Sequence, residues 1–193
     1  MNLLTDGVNG PATSNGYPFV IPGDPTGVSG MNIHRLSDYF MKLSEILDED
    51  NIIPDLEARD KKRVIEELAE LIVHSRPSLD KDSLVRVLLE RERLGSTGIG
   101  DGVAIPHGKI HGISEPIISF GRSLKGLDFE SMDGQPVYLF FLLVAPESSA
   151  SAHLKALARI AKILKNGAFR KILMEVSGRE EIYKTILQND EEF

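Results

Sequence analysis

The sequence predicts a three-layer α/β/α sandwich around a mixed sheet, and three observations carry that expectation. Val137-Tyr138-Leu139-Phe140-Phe141-Leu142-Leu143-Val144 is a continuous apolar run, the pattern of a central strand covered on both faces. Shorter runs at Val103-Ala104-Ile105 and Pro116-Ile117-Ile118-Ser119-Phe120 supply further strands. Amphipathic stretches on either side repeat at helical spacing and provide the outer layers.

In chain order, residues 1–30 are rich in Gly, Pro, Asn, Ser and Thr and read as a flexible extension or expression leader, with Met31 as a natural start. Within them, Tyr17-Pro18-Phe19-Val20-Ile21 has the make-up of a short extended piece, able to add an edge strand or dock on a neighbour. Residues 31–193 are expected to form one domain. A helix opens near Asp60 and turns Val64, Ile65, Leu68, Leu71 and Ile72 inward, with Lys61, Lys62, Glu66 and Glu67 largely outside; His74 at its end reads as structural or exposed. A second opens near Asp80, carries Leu84, Val85, Leu88 and Leu89 inward, and stops before Gly95. Asp133-Gly134-Gln135-Pro136 is a turn between strands. Ser151 is the expected cap of a third helix bearing Leu154, Leu157, Ile160, Ala161 and Leu164, with Asn166-Gly167 as its stop. His153 lies in its first turn on the side of Leu157 and Ile160, facing the strand ends. Two short helices follow, Ala168 to Met174 and one opened by Ser177-Gly178-Arg179-Glu180, and Asp190-Glu191-Glu192 reads as a solvated tail. There is no internal repeat.

Composition removes several classes of function. With 193 residues, 41% of them hydrophobic, the chain can bury a good core. A net charge of −7 argues against a nucleic-acid footprint while leaving room for a basic protein partner. The absence of cysteine excludes disulfides, thiol catalysis and sulfur-ligated zinc, and fits a cytoplasmic protein. No signal peptide or membrane-spanning run is legible, so the expectation is a soluble, intracellular protein without membrane insertion.

Chemistry concentrates in Gly95-Ser96-Thr97-Gly98-Ile99-Gly100-Asp101-Gly102-Val103-Ala104-Ile105-Pro106-His107-Gly108. Glycines at this density let backbone N–H groups approach an anion. Pro106 and Gly108 leave the His107 imidazole at an open, rigid strand end. A neutral imidazole is a nucleophile and a phosphoryl leaving group near neutral pH, provided an acceptor holds its second nitrogen. Phosphoryl transfer asks mainly for donors and positioning, which loop amides, Ser96, Thr97 and a nearby cation can offer. Arg91 and Arg93, in the last turn of the second helix, are also explained by the helix dipole.

The run Arg91-Glu92-Arg93-Leu94-Gly95-Ser96-Thr97-Gly98-Ile99-Gly100, continued by Val103-Ala104-Ile105-Pro106-His107-Gly108-Lys109 and later by Ala152-His153-Leu154-Lys155-Ala156-Leu157, resembles the fructose/mannitol and nitrogen-regulatory enzyme IIA family of the phosphotransferase system. The resemblance spans about residues 40–190 by motif order and is strongest to the nitrogen-related branch. It implies an enzyme IIA type-2 domain, a bacterial phosphotransferase component that needs no cofactor. It also implies phosphorylation of His107 by a histidine phosphocarrier protein of the HPr or NPr type, and control of regulated target proteins through phosphorylation state. His153, Arg91, Ser96 and Thr97 are the implied phosphoryl-stabilising residues. One position departs from the pattern: the family commonly has Asn where this chain has Asp101. A carboxylate facing the site would repel the phosphoryl group unless it held a cation, and one facing solvent would do nothing.

Two other functions stay open: a sugar-specific enzyme IIA passing phosphate to a IIB transport component, and an interaction module with little phosphotransfer. The spacing His107-x-x-x-His111 does not read as a metal site, because Pro106, Gly108 and Gly112 argue against a helix and no third ligand is near; His111 reads as a loop residue. Gly98-Ile99-Gly100 lacks the later glycine of a dinucleotide loop, Gly108-Lys109 lacks the Ser or Thr of a P-loop, and no Gly-x-Ser-x-Gly elbow occurs.

Overall fold

The long apolar run is the middle of the sheet. In the computed structural model, which describes residues 41–191, strand β6 (Val137–Pro146) lies between β5 (Ile117–Leu127) on one side and β3 (Val103–Ala104) and β4 (His107–Ile110) on the other. β1 (Leu47–Ile53) pairs parallel with β5, and β2 (Gly98–Gly100) pairs antiparallel with β3. β6 runs antiparallel to β5 and parallel to β3 and β4, so the six-stranded sheet is mixed. The readings for residues 1–30, for Met31 and for Glu192 lie outside the described residues.

Burial on both faces follows from the two-residue period of the strand. Leu139, Phe141 and Leu143 enter the core shared with α3 (Ala150–Leu164), α4 (Gly167–Glu175) and α5 (Gly178–Glu191). Phe140, Leu142 and Val144 enter the opposite core, under α1 (Lys61–Ser75) and α2 (Lys81–Arg93). The result is an α/β/α sandwich. No helix among the described residues is long and apolar enough to cross a membrane.

The helix starts expected at Asp60 and Asp80 form, each carboxylate accepting from the backbone N–H three residues on, Arg63 and Ser83 respectively, at 2.9 Å. The third helix corrects the sequence reading. Its cap is Ser149, not Ser151. Its buried face is His153, Ala156, Ile160, Ile163 and Leu164, whereas Leu154 is 64% exposed. The helix ends at Leu164, just before the expected Asn166-Gly167 stop, and the Asn166 side chain also caps the next helix, accepting from the N–H groups of Ala168 and Phe169. The acidic end is also corrected. Asp190 is buried, paired with Arg159 at 2.5 Å, and accepts the Leu43 N–H at 2.7 Å, so α5 closes against the segment just before β1.

Two features that position the site go beyond the sequence reading, which had only Val103-Ala104-Ile105 as a strand here. The glycine stretch is a hairpin: β2 and β3 are joined by Asp101 (φ 54) and Gly102 (φ 75), both left-handed as a two-residue turn of this kind requires. β3 and β4 are one strand interrupted at Ile105-Pro106. Ala104 pairs with Phe140 and His107 with Leu143, so the register along β6 does not slip, and Pro106 simply has no N–H to give the ladder.

Candidate active site

His107 opens β4 just beyond that interruption and is half-buried. Its Nδ1 lies 2.7 Å from the Ile105 carbonyl oxygen, and its Nε2 lies 3.1 Å from Arg91 Nε. A carbonyl cannot donate and a guanidinium cannot accept, so the two partners dictate the tautomer of the neutral ring. Nδ1–H donates to Ile105, and the Nε2 lone pair faces Arg91. Burial holds the His107 pKa below its ordinary value; the Ile105 hydrogen bond opposes this and Arg91 adds to it.

Arg91 reaches the ring because α2 packs tightly against β4. A Cβ on Gly108 would stand 2.9 Å from Val87 Cγ1 and 3.4 Å from Leu88 Cδ2, so only glycine allows this approach. The guanidinium also donates Nη1–H to the Gly95 carbonyl at 3.0 Å, which ties α2 to the loop that follows it.

His153 completes the cluster from the first turn of α3. Its ring centroid is 5.3 Å from that of His107, with the planes inclined at 52°. The residue is only 7% exposed and its Nδ1 is buried without a hydrogen-bond partner. Burial, then the neighbouring His107, Lys109 and Arg91, push its pKa down to about 4. A neutral imidazole with an unused buried nitrogen, beside a second imidazole and a guanidinium, suits an anion better than a cation.

The other sequence-derived residues are distributed differently. The Ser96 hydroxyl donates to the Phe129 carbonyl and accepts from the Gly98 N–H. Thr97 is buried and donates its hydroxyl and its N–H to Glu92. Both side chains therefore hold the loop rather than joining the Arg91–His107–His153 cluster. Arg93 is exposed. His111 is exposed and lies 2.7 Å from Glu147, and among the described residues no group of three His, Cys, Asp or Glu gathers as a metal site. Asp101, exposed at the tip of the hairpin, pairs with Arg170 of α4 at 3.1 Å. Arg170 also donates to the Leu164 and Lys165 carbonyls at the end of α3, and Asp101 answers to the solvent-facing case, in which its carboxylate does not act on the site.

Sequence reasoning gave no role to Glu92. The signal was present: Leu84, Leu88 and Glu92 recur every fourth residue on α2, and all three are buried. A carboxylate on an apolar stripe requires partners, and Glu92 finds them in Thr97 and Lys61.

Known proteins resemble this chain in sequence and in fold. The sequence profile of the family described as the phosphoenolpyruvate-dependent sugar phosphotransferase system, EIIA 2, matches residues 45–189. The nitrogen regulatory protein of Bradyrhizobium diazoefficiens is 40% identical over 146 residues, which cover 76% of this chain and 95% of that protein. The fructose-specific EIIABC component of Bacillus subtilis is 38% identical over 150 residues, 78% of this chain but 24% of that longer protein. Among solved structures, the nitrogen regulatory protein IIA-Ntr of Neisseria meningitidis superposes with a TM-score of 0.69 at 37% identity, covering 75% of this chain and 98% of that one. Mannitol IIA of Escherichia coli, at 19% identity and a TM-score of 0.62 over 72% of this chain and 97% of that one, shares the fold. On the breadth of the profile match and these identities, the chain belongs to the EIIA 2 family of the phosphoenolpyruvate-dependent sugar phosphotransferase system.

Proposed function

We propose that His107 accepts a phosphoryl group from a histidine phosphocarrier protein of the HPr or NPr type in the cytoplasm, and that its phosphorylation state governs which regulated proteins the chain binds. The observation that carries this reading is the tautomer imposed on His107. With Nδ1–H committed to Ile105, the lone pair sits on Nε2, the nitrogen that faces Arg91 and shares the cluster with His153.

Nε2 attacks the phosphorus of the donor's phosphohistidine. The new N–P bond forms as the donor's N–P bond breaks and its electron pair returns to the donor ring. The proton stays on His107 Nδ1, still donated to the Ile105 carbonyl, so none need move. The Arg91 N–H released from Nε2 becomes available to a phosphoryl oxygen, and a His153 N–H supplies a second donor. Ser96 and Thr97 contribute by shaping the loop. A protein donor is supported by exposed apolar side chains next to these residues: Leu94 follows α2, Leu154 adjoins His153, Ile99 lies on β2, and the Met132 N–H bonds to Gly98 beside it. Added negative charge in that setting would change what the surface accepts.

Incubation with a phosphorylated carrier is expected to place an acid-labile, base-stable label on His107, absent in His107→Ala. His153→Ala is expected to fold yet to label about tenfold more slowly or worse, as when one preorganised donor is removed. Label on another residue, or none with a competent carrier, would overturn the reading.

Similarity to the fructose-specific component supports a second reading, in which a sugar-specific enzyme IIA passes phosphate to a IIB transport component. Rapid transfer from His107 to a purified IIB domain would favour it over regulation. An interaction module with little phosphotransfer draws no support from Asp101, whose carboxylate is neutralised by Arg170.

A further inference from the structure

Glu92 is a buried carboxylate at the last turn of α2, beside Arg91 but turned away from solvent. Its oxygens accept the Thr97 N–H at 3.0 and 3.2 Å and the Thr97 hydroxyl at 2.5 Å. Lys61 Nζ, from the first turn of α1, balances the charge at 3.0 Å. Lys61 is itself held by Glu130 at 2.6 Å and lies 4.9 Å above the Phe129 ring.

From Thr97 the connection continues through the main chain. The Thr97 carbonyl accepts the Ile105 N–H at 3.0 Å, and the Ile105 carbonyl holds His107 Nδ1 at 2.7 Å. Each non-covalent step between the carboxylate and the ring is thus a hydrogen bond of ordinary length, joined by the main chain of Thr97 and Ile105. Pro106 has no N–H and stiffens the step from Ile105 to His107. The Ile105 peptide sits where the strand is interrupted, so its orientation depends on Thr97.

We propose that Glu92 is a positioning residue for His107: by clamping Thr97 it fixes the Ile105 carbonyl, and that carbonyl sets the tautomer and angle of the imidazole. This deepens the phosphoryl-acceptor reading and rests on it for its kinetic consequence, although the tautomer can be measured without any phosphocarrier. Ring orientation enters the rate because the lone pair must meet the phosphorus in line.

The test uses the full chain with Glu92→Gln, Thr97→Val and Thr97→Ser. Nitrogen-15 shifts of the His107 ring report the tautomer at a pH where it is neutral, labelling by the phosphorylated carrier reports the rate, and thermal melting reports stability. Glu92→Gln and Thr97→Val are expected to shift His107 from a predominant Nδ1–H form to a mixture and to slow labelling about tenfold or more. Thr97→Ser, which keeps the hydroxyl, is expected to restore both. Altered melting with an unchanged tautomer and an unchanged rate per folded molecule would make Glu92 a structural anchor only and overturn the proposal. If Glu92→Gln does not fold, the Thr97 pair decides alone. If the native protein is not labelled on His107, the acceptor reading fails, while the tautomer shift still decides the positioning role.

Discussion

The two histidines carry a stability signature as well as a chemical one. Both have pKa values below the ordinary imidazole value of 6.5, and that of His153 stands at about 4. A depressed base binds its proton more weakly folded than unfolded, so the folded state is favoured above pH 6.5 and loses that advantage as the pH falls towards 4. For His153, the drop from 6.5 to about 4 corresponds to on the order of 3 kcal/mol once the pH reaches the lower value. Urea unfolding at pH 7 and at pH 4.5 should therefore show a larger acid-induced loss for the native protein than for His153→Leu. Parallel losses would show that burial of this imidazole is not under strain. The same desolvation favours the neutral form of both rings, as the proposed phosphoryl transfer requires, and it was not readable from residues 107 and 153 alone. The sequence identified which imidazoles to watch; their approach to 5.3 Å depends on how α3 rolls onto the sheet.

At the scale of elements, the contact between α2 and β4 decides whether Arg91 reaches the ring. Gly108→Ala would put a methyl 2.9 Å from Val87 Cγ1. The expected cost is about 1–3 kcal/mol of stability, together with slower labelling of His107, because α2 must back away and carry Arg91 with it. Denaturation and labelling measured on the same variant check both effects, and an unchanged pair would mean that α2 shifts freely. Elements with a strong period were legible: α1, α2 and β6 each match their apolar pattern. β1 was not, because Leu47-Asp48-Glu49-Asp50-Asn51-Ile52-Ile53 places three exposed acids in the middle of an edge strand. The β2–β3 hairpin was missed although Asp101-Gly102 is a turn signal, since glycine-rich flanks without alternation do not look like strands. On α3 the inward reading holds for Ile160 and Leu164, with Leu157 and Ala161 packed beside them, and fails at Leu154. Leu154 is as apolar as its buried neighbours, and only contact with the sheet shows that it stays outside.

Across the whole molecule, the far side of the sheet is fastened by a buried ion pair. Arg159 on α3 meets Asp190 on α5 at 2.5 Å, donates also to the Asp190 carbonyl, and the same carboxylate takes the Leu43 N–H. Asp190→Asn leaves Arg159 as an unpaired buried charge, with an expected loss of about 3–5 kcal/mol in unfolding free energy. The double change Arg159→Met with Asp190→Leu should recover much of it, because an apolar pair removes the desolvation penalty along with the attraction. A double variant no more stable than Asp190→Asn would show that the Leu43 tether, not the charge pair, dominates. Since α3 also carries His153, this fastening holds one wall of the candidate site in place.

The sequence by itself determined the layered fold, through one strand apolar on both faces, and the histidine at the heart of the glycine-rich stretch, through its flanking motif. Tertiary structure alone decided the rest: the tautomer of His107, the close approach of His153 to it, the clamp from Glu92, and the pairing of Asp101 with Arg170. The physical reason is range. Periodicity and turn chemistry act over a few neighbouring residues and are written in local order. Hydrogen bonds such as those from Arg91 to His107 and from Arg170 to Asp101 span 16 and 69 residues, so they exist only once the layers have packed.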